Sequence, residues 1–176
     1  DPQATSSTWA SVACARTDYK PPLVIALRDG DHLFEQVPQL APNYDIVIID
    51  CPGRIDSTQR SALAVSDIAL IPVTPDTADV WALATTLATV KQAQQFRPSL
   101  QSILLLNRLR AGTTEAANAR RLLENAGIPI MQATLGLRAA FGRYLNEGLG
   151  MVEYDGSRGK AAGELRHVVD ELLAAL

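Results

Sequence analysis

Residues 44–53, YDIVIIDCPG, restrict the fold more than any other stretch of the chain. Ile46, Val47, Ile48 and Ile49 are successive β-branched residues, too short a run for an ordinary helix and apolar on both alternating faces. That is the pattern of a strand buried on two sides inside a parallel sheet. Asp50 ends the run, and Pro52 and Gly53 turn the chain. In an open α/β sheet, ligands gather at the carboxyl ends of strands, so a carboxylate placed there by a rigid strand can organise a metal and a phosphate. The same aspartate can also do no more than cap the turn at 51–53. On these residues alone both readings stand.

The remaining apolar runs set the organisation around that strand. Ser6 or Ser7 can cap a short helix over 8–16, with Trp9, Val12 and Ala13 on one side. Leu23 to Leu27 reads as a buried strand, and Gly30-Asp31 leads to a helix carrying Leu33, Phe34 and Val37. Asp56-Ser57-Thr58 starts a helix that reaches about Val65, and 68–73 reads as a strand. Val80, Leu83, Ala84, Leu87 and Val90 recur at helical spacing through 77–96. A strand is expected over 102–106, a helix over 115–125 closed by Gly127, and a strand over 128–133. The spacing then gives a helix over 138–146, a glycine-rich loop over 148–159 and an amphipathic closing helix carrying Leu165, Val168, Val169, Leu172, Leu173 and Leu176. Trp9, Trp81 and the helix-face leucines are expected in the core.

Strands and helices alternate about five times, with no two-residue hairpin turns. The expected fold class is therefore α/β, a doubly wound, mainly parallel sheet flanked by helices. At 176 residues the chain has the size of one domain, and 47% apolar with 20% charged residues suits a folded rather than disordered chain. A net charge of −3 gives no global attraction to nucleic acid or to an anionic membrane. Cys14, Cys51, His32 and His167 lack the spacing of a zinc site, and reduced thiols in a cytoplasmic protein are expected. No apolar run approaches the ~20 residues of a membrane span.

Three segments together resemble the ParA/MinD family of deviant Walker ATPases, especially its small ParA-like partition proteins. Asp1 to Trp9, DPQATSSTW, is similar to the D-P-Q segment that forms the family's first switch loop. Residues 44–53 resemble its Walker B strand. Residues 66–75, SDIALIPVTP, resemble the strand and loop that follow, with Asn107-Arg108 in the position of the base-side segment. The order and spacing fit over essentially the whole chain. The family also begins with a strand and a glycine-rich P-loop carrying lysines, and no G-x-x-x-x-G-K-[ST] occurs here; the only Gly-Lys pair is Gly159-Lys160. In a complete family member those elements precede the D-P-Q segment. The expectation is thus one ParA-like, P-loop NTPase-like nucleotide-binding domain over 1–176, truncated at its N-terminus and inactive alone in ATP hydrolysis.

The resemblance implies the site. Asp1 corresponds to the acidic residue that positions the attacking water, and Asp50 to the carboxylate that holds Mg²⁺ through a coordinated water. Pro52 has no N–H with which to sense a phosphate. Asn107 would pair with adenine, or else tighten a turn at the strand end; Arg108 would stack on the base, or else form a surface ion pair. Thr74-Pro75-Asp76 would meet a second subunit, or else serve as an ordinary loop. Arg138, Arg143, Arg158 and Lys160 would hold non-specific DNA phosphates, or else form a solvated face.

The implied function is an ATP- and Mg²⁺-dependent homodimerisation switch in plasmid, chromosome or mobile-element DNA partition. A centromere-binding, ParB-like partner would stimulate hydrolysis in the cytoplasm at the nucleoid. A MinD-like membrane role is opposed by the closing segment, where Glu164, Asp170 and Glu171 stand against Arg166. The alternative from another class is a non-catalytic binding module that retains the fold.

Overall fold

Ile68–Val73 (β1) becomes a strand because its apolar run finds a parallel neighbour in Gln101–Leu109 (β2), in register from Ile68 opposite Gln101 to Val73 opposite Leu106. β2 pairs in parallel on its other side with Ile130–Gly136 (β3), giving a three-stranded sheet of order β1-β2-β3. This computed structural model describes residues 5–27, 29–52, 56–110, 112–156 and 158–176. Parallel strands need crossovers, and helices supply them. Thr77–Phe96 (α4) joins β1 to β2, and Thr114–Leu123 (α5) joins β2 to β3. Thr5–Cys14 (α1), Gly30–Leu40 (α2) and Ser57–Val65 (α3) precede the sheet. Ala140–Glu147 (α6), Met151–Asp155 (α7) and Lys160–Leu173 (α8) follow it. The start of α3 is fixed as its sequence suggests, Asp56 accepting from the Gln59 amide at 3.0 Å.

The two faces of β2 define two cores. Leu104 and Leu106 pack with Leu63, Ile71, Val73, Leu83, Val90 and Leu123, from α3, β1, α4 and α5. Leu105, between them, packs on the other face with Met131 and with Val168 of α8. The strand expected over 102–106 is therefore present, as part of the longer β2, and is covered on both faces.

The strands expected at 23–27 and 46–49 do not form. Neither segment belongs to a ladder among the described residues. Only the ends of the two runs reach a core. Leu27, Ile49 and Cys51 pack against Leu33, Val37 and Ala62 of α2 and α3, while Ile48 faces away and is 87% exposed. The expectation that 46–49 is buried on both faces is thus corrected, because a β-branched run becomes a two-sided buried strand only where neighbours supply both hydrogen-bond partners and a cover. Phe34, assigned to the apolar side of α2, is likewise exposed. The loop expected over 148–159 contains α7, anchored by buried Met151. Asp1, Gly53 and the side chain of Trp81 lie outside the described residues.

β3 is irregular, and α8 repairs it. Its pairing with β2 shifts register between Leu104 opposite Ile130 and Leu106 opposite Thr134. Such a bulge leaves backbone groups without ladder partners. Glu171 accepts from the amides of Gln132 and Ala133, both at 2.8 Å, and Arg120 donates to the Met131 carbonyl at 2.6 Å. About two turns earlier on α8, Glu164 accepts from the Gly136 amide at 3.0 Å and pairs with Arg138 through Nε and Nη2. The Arg138 hydrogen bonds hold the Glu164 carboxyl below its ordinary range against the opposing effect of burial.

A lowered folded-state pKa means that Glu164 stabilises the fold fully above its ordinary value of 4.5, and that this contribution is lost as pH falls through the lower folded value. Urea unfolding at a series of pH values should therefore show wild type ahead of Glu164→Gln by a constant margin above that range. The margin should close on acidification; one that persists unchanged in strong acid contradicts the assignment.

Candidate functional site

Asp50 follows the β-branched run 46–49 and remains exposed, while its neighbour Cys51 turns inward against the α2–α3 core. Burial, with Asp50 nearby, pushes the Cys51 thiol upward, so the group beside the carboxylate is a neutral thiol at physiological pH. Ser6, in the first turn of α1, donates its hydroxyl to Asp50 Oδ2 at 2.5 Å across 44 residues of sequence. The helix that follows the D-P-Q segment thus meets the aspartate that follows the β-branched run. Sequence reading gave Ser6 a capping role and a place in the segment that resembles a switch loop, and no spacing rule would have found its partner.

α1 is held in that position from its other end. Trp9 donates its indole N–H to the Leu149 carbonyl at 2.9 Å, and Ala13 is fully buried. Trp9 is half-buried rather than central in the core, because its polar edge needs that acceptor.

Asn107 and Arg108 lie near the carboxyl end of β2, at a second register shift between Leu106 and Leu109. Arg108 has φ of 55°, and the Asn107 side-chain oxygen accepts its amide at 2.9 Å. The strand continues through both residues to Leu109, so Asn107 does not end it, and its side-chain oxygen bonds the backbone of its own neighbour. A left-handed arginine costs about 1–2 kcal/mol, strain of the kind that collects at functional positions. Among the described residues no hydrogen bond or ion pair joins Asp50 to Asn107 or Arg108.

Thr74-Pro75-Asp76 follows the carboxyl end of β1, in the connection to α4. Of the basic residues considered for phosphate binding, Arg138 is committed to Glu164 and leaves the set. Arg143, Arg158 and Lys160 are exposed.

The donors suit magnesium in one specific manner. Among the described residues no cluster of three or more His, Cys, Asp or Glu could hold a metal alone. Mg²⁺ commonly uses one or two carboxylates and completes its shell with water and substrate phosphates, which the single exposed carboxylate of Asp50 can accommodate.

Comparison with known proteins bears on the fold and on what the chain resembles as a whole. A family profile described as an AAA domain matches residues 17–102. The chain is 26% identical over 175 residues to Maintenance of carboxysome distribution protein A of Halothiobacillus neapolitanus, covering 98% of this chain and 80% of that protein. A ParA family protein of Mycoplasma pneumoniae is 28% identical over 97 residues, 55% of this chain and 33% of that protein. The crystal structure of Pyrococcus furiosus cell division ATPase MinD superposes with a TM-score of 0.68 at 21% identity, over 84% of this chain and 60% of that one. The chain is ParA/MinD-like. The MinD likeness shows the fold, a parallel sheet flanked by helices of the P-loop NTPase type. This ParA/MinD-like chain spans only 60% of the MinD chain's length.

The strain at position 108 is measurable. Arg108→Gly should raise stability by about 1 kcal/mol in urea unfolding, since glycine adopts positive φ freely. A clear loss of stability would mean that the arginine side chain makes contacts outweighing its backbone cost.

Proposed function

We propose that the protein is a ParA-like ATPase acting as an ATP-dependent dimerisation switch in the partition of plasmid, chromosome or mobile-element DNA. The observation that carries this reading is the Ser6 to Asp50 hydrogen bond, which joins the D-P-Q-proximal helix to the Walker B-like aspartate. Phosphoryl transfer requires a positioned nucleophile and a neutralised phosphate more than covalent chemistry from the protein. In this proposal Asp1 orients the attacking water and Asp50 holds Mg²⁺ through a coordinated water. Mg²⁺, when bound, supplies the charge that neutralises the phosphates. Asn107 and Arg108 lie on the base side, and Thr74-Pro75-Asp76 faces a second subunit.

The 176 residues contain no phosphate-cradling G-x-x-x-x-G-K-[ST] sequence, so the proposal places that cradle on polypeptide outside them. Arg143, Arg158 and Lys160 serve non-specific DNA in the nucleotide-bound dimer, and a ParB-like partner triggers release at the nucleoid. No described helix is long and apolar enough to cross a membrane. Glu164 and Glu171 of α8 are occupied on the sheet, which further separates this helix from a basic membrane-binding tail.

The match to Maintenance of carboxysome distribution protein A favours a second reading, in which the same switch distributes carboxysomes instead of DNA. The two readings share the nucleotide chemistry and differ in the partner that stimulates hydrolysis. Stimulation by a centromere-bound protein supports the first, and stimulation by a carboxysome-associated protein supports the second.

The deciding measurement is ATP binding, with and without Mg²⁺, by protein made from the complete coding region and by the 176-residue chain. The complete protein should bind and slowly hydrolyse ATP. Asp50→Ala should weaken Mg²⁺-dependent binding by about tenfold or more, a loss of ~1.4 kcal/mol. Asp1→Asn should slow hydrolysis on the order of 10²-fold with binding intact. If the complete protein ignores nucleotide, the ATPase reading fails and a non-catalytic binding module takes its place.

A further inference from the structure

α1 touches two separate parts of the molecule, and its contacts divide along its length. Its first turn presents Ser6 to Asp50 Oδ2 at 2.5 Å. Its middle and end lie on the corner between α6 and α7. Trp9 donates to the Leu149 carbonyl at 2.9 Å, buried Ala13 lies against Gly148, and Arg16, just past the helix, donates to the Glu147 carbonyl at 3.0 Å. Gly148 closes α6 with φ of 61°, and a Cβ there would stand 2.8 Å from the Ala13 nitrogen. The corner therefore fits α1 closely, and only glycine permits both the turn and the approach.

Ten residues of helix span about 15 Å and bend little, so α1 transmits a displacement of one end to the other. The corner continues into α7, whose last residue, Asp155, accepts from the Ala161 and Ala162 amides at 2.9 and 3.1 Å and so caps α8. Arg158 and Lys160 sit at that cap. A continuous series of contacts thus runs from Asp50 to the exposed cations at the start of α8.

We infer that α1 is a strut coupling the state of Asp50 to the α6–α7 corner, with Ser6 as the positioning residue that links the carboxylate to the strut. The coupling to nucleotide rests on the proposed Mg²⁺ role of Asp50. Its physical basis is competition for one oxygen. Asp50 Oδ2 accepts from Ser6 in this structure, whereas a hydrated Mg²⁺ presents water protons to the same carboxylate. Exchange of one donor for the other releases or re-aims the first turn of α1. Because the coupling is reciprocal, loosening the corner changes the response of Asp50 by the same factor.

The test uses protein from the complete coding region with Trp9 as its sole tryptophan, and compares wild type, Ser6→Ala and Ser6→Thr. Trp9 emission reports the Leu149 contact, hydrogen exchange of residues 145–150 reports the corner, and a separate titration measures binding of Mg²⁺ with a non-hydrolysable ATP analogue. Without nucleotide, Ser6→Ala should red-shift Trp9 and accelerate corner exchange several-fold, and Ser6→Thr, which keeps the hydroxyl, should restore both. With nucleotide, wild type should move toward the Ser6→Ala values, while Ser6→Ala should bind yet show no further change.

Identical emission and exchange in wild type and Ser6→Ala overturn the strut. So does a full nucleotide-induced Trp9 change in Ser6→Ala. If Ser6→Ala loosens the corner but no form binds Mg²⁺ and the analogue, the mechanical link stands and the ATPase reading is what falls.

Discussion

Leu104, Leu105 and Leu106 occupy successive positions of β2 and alternate between two cores, and the described architecture depends on that alternation. Each buried leucine stabilises the fold by roughly 1.5–3 kcal/mol through removal of apolar surface from water. The larger contribution is geometric. With β1 and β3 in parallel on its two sides, β2 must be covered above and below, so α4 and α5 take one face and α8 takes the other. The carboxyl ends of all three strands then lie on one edge, where Thr74, Arg110 and Leu137 begin the loops.

The polar contacts divide between structure and function according to what they satisfy. Glu164 and Glu171 accept backbone amides that a bulged strand cannot satisfy within its own ladder. An orphaned buried amide costs about 1–3 kcal/mol, which explains why a helix otherwise amphipathic places two carboxylates against a sheet. The bond between Ser6 and Asp50 joins two side chains, and both remain near solvent. An exposed pairing over 44 residues contributes little to stability, so its interest lies in what could replace it.

Much of the fold was legible in the sequence. β1, β2, β3, α3, α4, α6 and α8 lie close to where periodicity placed them, because each is long enough, or apolar enough on a definite face, to declare its cover. Residues 23–27 and 46–49 were misread for a physical reason. Their composition is that of strands, but a ladder is a property of two chains, and composition records only one of them. α7 was missed because Gly148, Gly150 and Gly156 dominate its surroundings, and only the burial of Met151 shows that a helical turn is held there.

The sequence by itself determined the alternation of parallel strands and helices, the position of Asp50 after a β-branched run, and the resemblance that implies a nucleotide role. These are local properties, set by spacing within about ten residues or by a motif. Only the tertiary structure decided that Asn107 spends its carbonyl oxygen on the Arg108 amide, that Arg138 is held by Glu164, and that Ser6 reaches Asp50. Each of these depends on where a side chain ends after the chain has been packed, and for the last two the distance along the sequence carries no information about that.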